Sequence, residues 1–144
     1  MLSTSREVLL DSSAFLADKN LIEALERVSS PVHCQLERAL FHQGDEPVGI
    51  YILRSGRAIL TMQSPSGEQV LHLQAGPGSV LGLPGLLGNT AYSLTAIAQA
   101  GAEVGFVTSE DFHRLMAREP ALSLKVLQVL AAEVHNARRA IFDN

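Results

Sequence analysis

The sequence has few of the residues that disulfide bonds, iron–sulfur clusters and nucleic-acid binding require. Cys34 is the only cysteine among 144 residues, so an intrachain disulfide is excluded, and so is an iron–sulfur cluster, which needs several thiolate ligands. Lysine and arginine together number 11 against 15 acidic residues, and Arg138–Arg139 is the only adjacent basic pair. Binding to DNA or RNA depends on clustered cations that neutralise phosphates. We therefore expect no DNA partner.

Long hydrophobic runs are also missing. No stretch approaches the roughly 20 apolar residues that cross a bilayer, and the first ten residues contain too few apolar side chains for a secretory signal. A lone cysteine fits a reducing compartment. The sequence therefore predicts a cytoplasmic protein without a membrane partner.

What is present divides the chain into three parts. Residues 1–30 have helical patterns, residues 31–108 contain short apolar runs separated by turn residues, and residues 109–144 are again helical. Short strands at this spacing are typical of all-β sandwiches and barrels. The predicted strands are Pro31–Gln35, Ala39–Phe41, Val48–Leu53, Ala58–Met62, Gln69–Leu73, Ser93–Ala98 and Ala102–Val107.

Polar residues and one proline mark where the helices are expected to begin. A short helix is predicted over Ser5–Leu10, and Asn20 is predicted to cap a helix over Leu21–Val28. Ser109 is expected to cap a helix that runs through Ala117. Pro120 is placed in the first turn of a long helix that continues to about Phe142.

The long helix carries an apolar seam. Its members repeat with spacings of 3, 4, 3 and 4, which places them on one face and predicts a homodimer. The alternative is that the helix lies on its own β-domain, and Leu124, Val126 and Val129 widen the stripe enough for both contacts. The seam residues are Leu127, Leu130, Val134, Ala137 and Ile141.

Three motifs in a fixed order carry a resemblance. Ala39–Glu46 contains a strand and a glycine turn, Val48–Ala58 contains an apolar strand with a tight turn at Gly56, and Ser64–Val70 forms the next hairpin. In this order they resemble the sensor half of the catabolite activator and fumarate–nitrate regulator (Crp/Fnr) family, and cyclic nucleotide-binding domains generally.

The resemblance implies a mainly β fold with flanking helices. It is a double-stranded β-helix, or jelly-roll-like β-roll, with N-terminal helices and a long C-terminal helix, here a single domain over residues 1–144. Family transcription factors carry a helix-turn-helix after the long helix, whereas this sequence stops at Asn144. We therefore expect a sensor without a DNA-reading domain.

In that family the ligand lies in a phosphate-binding cassette, which the resemblance places at residues 76–95. Gly82, Gly85 and Ser93 match the cassette, and Pro84 lies between its glycines. Leu83 stands where the family has a glutamate that binds the ribose, and Tyr92 stands where it has an arginine that pairs with the cyclic phosphate. The ligand-binding positions transferred here are Gly82, Leu83, Pro84, Gly85, Tyr92, Ser93 and Arg138.

The cassette region contains no charge. Between Glu68 and Glu103 there is no Asp, Glu, Lys or Arg, and burying an unpaired phosphate is costly. The sequence therefore predicts that cAMP and cGMP are not bound in the usual way. Arg138 is the candidate substitute cation, because the family directs residues at that point of the final helix toward the ligand. The alternative is that Arg138 is a solvated residue near a helix C-terminus.

Enzymatic and metal-dependent functions have weaker support. No catalytic motif is present, and none of the five histidines forms a His-x-His or an i, i+4 pair. The leading interpretation is a non-catalytic small-molecule sensor without a metal or other cofactor. Two alternatives remain. One is a protein-interaction module with a vestigial pocket closed by Leu83, Leu86, Leu87 and Tyr92. The other is a metal or haem protein with His42 or His72 as axial ligand.

Overall fold

The structure is a computed structural model that describes residues 15–142, with side chains described up to residue 135. The predicted helix at Ser5–Leu10 lies outside the described residues. The strands are β1 (Ser30–Val32), β2 (Arg38–Phe41), β3 (Gly49–Ser55), β4 (Ala58–Gln63), β5 (Gln69–Ala75), β6 (Ser79–Leu81), β7 (Thr95–Ala98) and β8 (Glu103–Thr108). They form two four-stranded antiparallel sheets, one in the order β1-β8-β3-β6 and the other in the order β2-β7-β4-β5, which together make the β-roll.

Four helices accompany the roll. Helix α1 (Lys19–Arg27) precedes the strands, α2 (Leu83–Gly88) interrupts them, and α3 (Ser109–Arg118) and α4 (Ala121–Phe142) follow them. This arrangement confirms the predicted mainly β fold with a long C-terminal helix. Within the part of the chain that the structure describes, no helix is both long and apolar enough to cross a membrane.

Strand β3 separates two hydrophobic clusters. Leu53 is buried between the two sheets, whereas Ile50 and Ile52 face the opposite way and pack with residues of α1, α3 and α4. A strand buried on both faces has a nearly continuous apolar sequence, as this one does. Strand β5 alternates instead, because Leu71 and Leu73 are buried while His72 is exposed.

Two of the predicted turns have the expected geometry. Gly56 joins β3 to β4 with a φ of +84°, a backbone conformation that glycine adopts without strain. In the β4–β5 hairpin, the Ser64 amide donates to the Glu68 carbonyl at 2.7 Å and the Gly67 amide donates to the Ser64 carbonyl at 2.8 Å.

Several predicted boundaries were wrong. Strand β6 was missed because it is three residues long and lies within a glycine-rich segment. Helix α1 is capped by Asp18, whose Oδ1 accepts from the Asn20 amide at 2.8 Å, so Asn20 lies inside the helix. Helix α3 is capped by Thr108, whose Oγ1 accepts from the Asp111 amide at 3.1 Å, so Ser109 is its first residue.

Helix α4 packs on its own domain along one face and exposes another. Leu122, Val126 and Val129 are buried against the roll and its helices, and Leu130 packs partly against the same cluster. Lys125 also binds Asp18 at 3.1 Å, which joins α4 to the start of α1. These contacts fix which face of α4 is directed at the roll.

The predicted dimer seam is therefore only partly exposed. Leu127 and Val134 are each 59% exposed, as expected of an unpaired seam, but Leu130 packs against its own domain instead. The side chains of Ala137 and Ile141 lie outside the described residues. Successive residues of a helix are about 100° apart, so Leu130 lies about 60° from Leu127, toward the buried Val126 and Val129, and packs with them at the edge of the exposed face.

Candidate functional site

A cavity lies between the cassette segment, the inner faces of β4 and β5, and helix α4. Its volume is about 170 Å³. Among the described residues that line it, hydrocarbon and aromatic side chains predominate. They are Phe15, Phe41, Leu60, Met62, Leu71, Leu81, Gly82, Pro84, Gly85, Tyr92, Ser93, Leu94 and Glu133.

The cassette glycines fit closely around Tyr92. Gly82 precedes α2 with a φ of +98°, and a Cβ added there would lie 3.1 Å from the Tyr92 ring. A Cβ added at Gly85 would lie 3.2 Å from the Thr90 carbonyl oxygen and 3.3 Å from Tyr92. These glycines allow the loop to close onto the tyrosine.

Tyr92 is hydrogen-bonded to the segment between β2 and β3. Its hydroxyl donates to the Gly49 carbonyl at 2.7 Å and accepts from the Val48 amide at 3.1 Å. Its own amide donates to the Asp45 carbonyl at 2.9 Å, and its ring stacks on Phe41 with centroids 4.1 Å apart. Tyr92, which the sequence predicts at the family's arginine position, is thus a buried part of the cavity wall whose hydroxyl group is hydrogen-bonded.

The other predicted cassette residues divide between the cavity and the core. Pro84 and Ser93 line the cavity, together with Gly82 and Gly85. Leu83, which stands at the glutamate position, is fully buried in the cluster between the roll and the helices and does not line the cavity. Helix α2 turns this side chain away from the ligand space, so a hydrophobic residue is accommodated there.

The closed pocket predicted for an interaction module is not what the structure shows. Leu86 packs in the same cluster as Leu83, and Leu87 is 40% exposed. Of the four residues expected to fill the pocket, only Tyr92 lines the cavity. The leucines were misassigned because their spacing on a six-residue helix does not reveal which side faces the roll.

Glu133 brings a carboxyl group into this apolar cavity. The residue is partly buried, and its Oε1 atom is out of contact with solvent and makes no hydrogen bond to any described residue. Burial raises the pKa of Glu133 from its ordinary 4.5 to about 8, because the charged form loses hydration. At neutral pH the carboxyl group is therefore mostly protonated.

Sequence reasoning missed Glu133, although a signal was present. Position 133 follows Leu122, Val126 and Val129 at the spacing 4, 3, 4, and so continues the buried face of α4. A single acidic residue on the buried side of an amphipathic helix is uncommon. This pattern distinguishes Glu133 from the exposed carboxylates of the chain.

No described lining residue carries a positive charge. The side chain of Arg138, the predicted substitute cation, lies outside the described residues. Neither His42 nor His72 lines the cavity, and both are exposed. No group of three or more His, Cys, Asp or Glu that could hold a metal occurs in the described part of the chain.

Removing the Tyr92 hydroxyl should destabilise the domain. We expect Tyr92→Phe to lower the free energy of unfolding by roughly 1–3 kcal/mol, because the buried carbonyl of Gly49 and the partly buried amide of Val48 lose this partner. Urea denaturation measures this. Tyr51→Phe is the matched control, since the Tyr51 hydroxyl bonds to no residue that the structure describes, and we expect it to change stability by less than about 0.5 kcal/mol. Equal effects of the two variants would contradict this role.

The Glu133 carboxyl group should make stability depend on pH. Its folded pKa of about 8 exceeds the ordinary 4.5, so between these values the folded protein binds more protons than the unfolded chain. Stability should therefore fall as pH rises from about 5 to about 8, by up to roughly 1 kcal/mol per pH unit. Denaturation of wild type and Glu133→Gln over this range isolates the effect, since the two proteins differ only at this carboxyl group. Parallel profiles would show that Glu133 is normally hydrated.

Comparison with known proteins agrees with the fold. Residues 31–119 match the family model described as "Cyclic nucleotide-binding domain". The chain is 27% identical to the cyclic AMP receptor protein of Thermus thermophilus over 100 residues, which are 69% of this chain and 46% of that protein. It is also 27% identical over 107 residues to the lysophospholipase NTE1 of Chaetomium globosum, covering 74% of this chain and 7% of the fungal protein.

Solved structures show the same fold. The catabolite activator protein of Thermus thermophilus superposes with a TM-score of 0.74 at 22% identity, covering 86% of this chain and 58% of that one. The sensor domain of the regulator DNR from Pseudomonas aeruginosa superposes with a TM-score of 0.63 at 19% identity, covering 82% of this chain and 79% of that one. This chain thus spans less than half of the curated relatives it matches. Because the family model covers well over half of its residues, the chain belongs to the cyclic nucleotide-binding domain family.

Proposed function

We propose that the chain is a non-catalytic sensor domain whose ligand is a small, largely apolar molecule bound in the cavity between the roll and α4. The observation that carries this proposal is the composition of the cavity wall: among its described lining residues, Glu133 alone has a carboxyl group and none is basic. Ligand sites of this kind are lined mainly by apolar and aromatic side chains with few polar groups.

The electrostatics of the cavity oppose a cyclic nucleotide. A cyclic phosphate carries a full negative charge, and charge-assisted bonds to arginine normally offset the loss of its hydration. At the arginine position the structure has Tyr92, whose hydroxyl is already bonded to Gly49 and Val48. The carboxyl group of Glu133 adds a potential charge of the same sign as the phosphate. The described residues of the cavity therefore offer an anion no positively charged partner.

The size of the cavity suits one small molecule. An engineered protein cavity of about 150 Å³, lined by aliphatic and aromatic side chains, binds benzene. A volume of about 170 Å³ therefore accommodates a single ring or a short branched chain. The exposed hydroxyl of Ser93 lies at the margin of this space and leaves the rest of the wall apolar apart from Glu133.

Cyclic nucleotides should not bind. We expect no heat of binding for cAMP or cGMP in titration calorimetry at about 100 µM, a concentration that would reveal any affinity stronger than about −5.5 kcal/mol. A dissociation constant in the low micromolar range would overturn this proposal. In that case Arg138→Ala distinguishes a rescue by the final helix, which the variant abolishes, from binding through the cassette itself, which it leaves intact.

We further propose that the chain forms a homodimer through the outer face of α4. Leu124, Leu127 and Val134 are 62%, 59% and 59% exposed and follow one another at spacings of 3 and 7 along the helix. Burying a large aliphatic side chain stabilises a contact by roughly 1.5–3 kcal/mol. In a symmetric pair of helices both copies of each side chain are buried, which doubles the favourable contribution. The total is of the same order as the free-energy cost of association, about 4–15 kcal/mol.

The exposed face of α4 provides the test of the dimer. Because Leu127 and Val134 are exposed, the double variant Leu127→Asp, Val134→Asp should keep the β-roll folded and convert a dimer into a monomer, as burying a charge in the seam costs several kcal/mol. Light scattering coupled to size exclusion measures the mass at about 50 µM, where a contact weaker than roughly −6 kcal/mol would be lost. Gln128→Asp, on an exposed position beside the seam, is the control. A monomeric wild type would contradict the proposal.

A further inference from the structure

The cavity combines two features that recur where proteins bind organic cations. The first is a carboxyl group without a partner, since Oε1 of Glu133 is withdrawn from solvent and bonded to no described residue. The second is the aromatic part of the wall, which contains Phe15, Phe41 and Tyr92. Aromatic faces attract cations through their quadrupoles, and sites that hold ammonium groups are commonly built from such rings.

We propose that the cavity selects a small hydrophobic amine or ammonium ion, with the Glu133 carboxylate as its counterion. This inference rests on the proposed function, because it assumes that the cavity is the ligand site. It assigns the sign of the ligand charge, which is opposite to that of a cyclic nucleotide. The apolar wall would surround the hydrocarbon part of the ligand, and α4 would supply the carboxylate.

A cation interacts more strongly with the unpaired Oε1 atom of Glu133 than a neutral ligand does. A neutral molecule can exchange one ordinary hydrogen bond with protonated Glu133, whereas an ammonium group forms a charge-assisted bond, which is about twice as strong. Oε1 of Glu133 has already lost its contact with water in the folded protein, so the ligand does not have to remove water from that atom. The remaining costs are the dehydration of the ammonium group and the release of the carboxyl proton.

Few other groups that titrate surround this carboxyl group. The described residues contributed to the cavity by β2, β4, β5, β6 and α2 do not ionise, and Tyr92 beside them has its hydroxyl bonded to Gly49 and Val48. On α4 itself, Lys125 lies eight residues earlier and binds Asp18, and His135 is exposed. Any pH dependence of amine binding near neutrality is therefore assigned to Glu133.

Three probes of equal chain length test the proposal. Hexylammonium, hexanol and hexanoate are titrated into the folded protein, and binding is read from the amide NMR signals of residues 82–94. At about pH 8 we expect hexylammonium to bind about tenfold more tightly than hexanol, a difference of about 1.4 kcal/mol, and hexanoate to bind most weakly. The variant Glu133→Gln should abolish the preference and leave the affinity for hexanol unchanged. Glu103→Gln, which removes an exposed carboxylate outside the cavity, should behave as wild type.

The pH dependence gives a second readout that needs no variant. The cation binds the carboxylate form of Glu133, whose population rises about tenfold per pH unit well below the pKa of about 8 and levels off above it. Affinity for hexylammonium should therefore increase by up to about tenfold per pH unit below that value, with release of a proton measurable by calorimetry in buffers of different ionisation heat. Affinity for hexanol should not change.

The outcomes separate the inference from the function on which it rests. If hexanol binds as tightly as hexylammonium, or if the preference for the amine survives Glu133→Gln, the cation assignment is overturned and the apolar sensor remains. If none of the three probes shifts the signals of the cavity residues, the cavity is not a ligand site, and the proposed function is overturned together with the inference.

Discussion

The cavity depends above all on the hydrogen bonds of Tyr92. Its hydroxyl and its backbone amide both bind the segment between β2 and β3, and its ring stacks on Phe41. The sequence predicts that Tyr92 stands where this family has an arginine that pairs with the phosphate of the ligand. The protein itself holds the tyrosine side chain, so internal contacts stabilise the loop. Tyr92 carries no positive charge with which an anionic ligand could pair.

Helix α4 connects this cavity to the surface of the domain. Its inner face, through Val126 and Val129, fixes the helix against the roll, and Glu133 continues that face to the cavity. Its outer face carries Leu127 and Val134. A helix moves largely as a rigid element, so a ligand that shifts the position of Glu133 would also displace the outer face of α4. A ligand shifts such an equilibrium only by its differential affinity for the two positions, and an ion pair to Glu133 would supply that difference.

The parts of the fold predicted correctly from the sequence have local signals. The Gly56 turn, the Ser64–Gly67 hairpin and the alternation in β5 each follow from a few neighbouring residues. Strand β6 has no such signal, because three residues between glycines are too few to show the hydrophobic alternation of a strand. The orientation of side chains on α2 and α4 depends on how these helices dock. Leu83 and Glu133 were therefore misplaced or missed, and only the docked helix shows that one faces the core and the other the cavity.

The position of Glu133 has a free-energy cost that no described residue offsets. Burial disfavours the charged carboxylate, so the group stays protonated well above its ordinary pKa. A leucine at this position would extend the buried face of α4 without that penalty. Residues that are unfavourable in their local surroundings, as Glu133 is here, are expected mainly at functional sites. A cationic ligand would remove the penalty by supplying the missing partner, and by linkage it would stabilise the folded domain, by about 2.7 kcal/mol at a hundredfold excess over its dissociation constant. The carboxyl group that lowers the stability of the folded domain would then be the group through which the domain responds to its ligand.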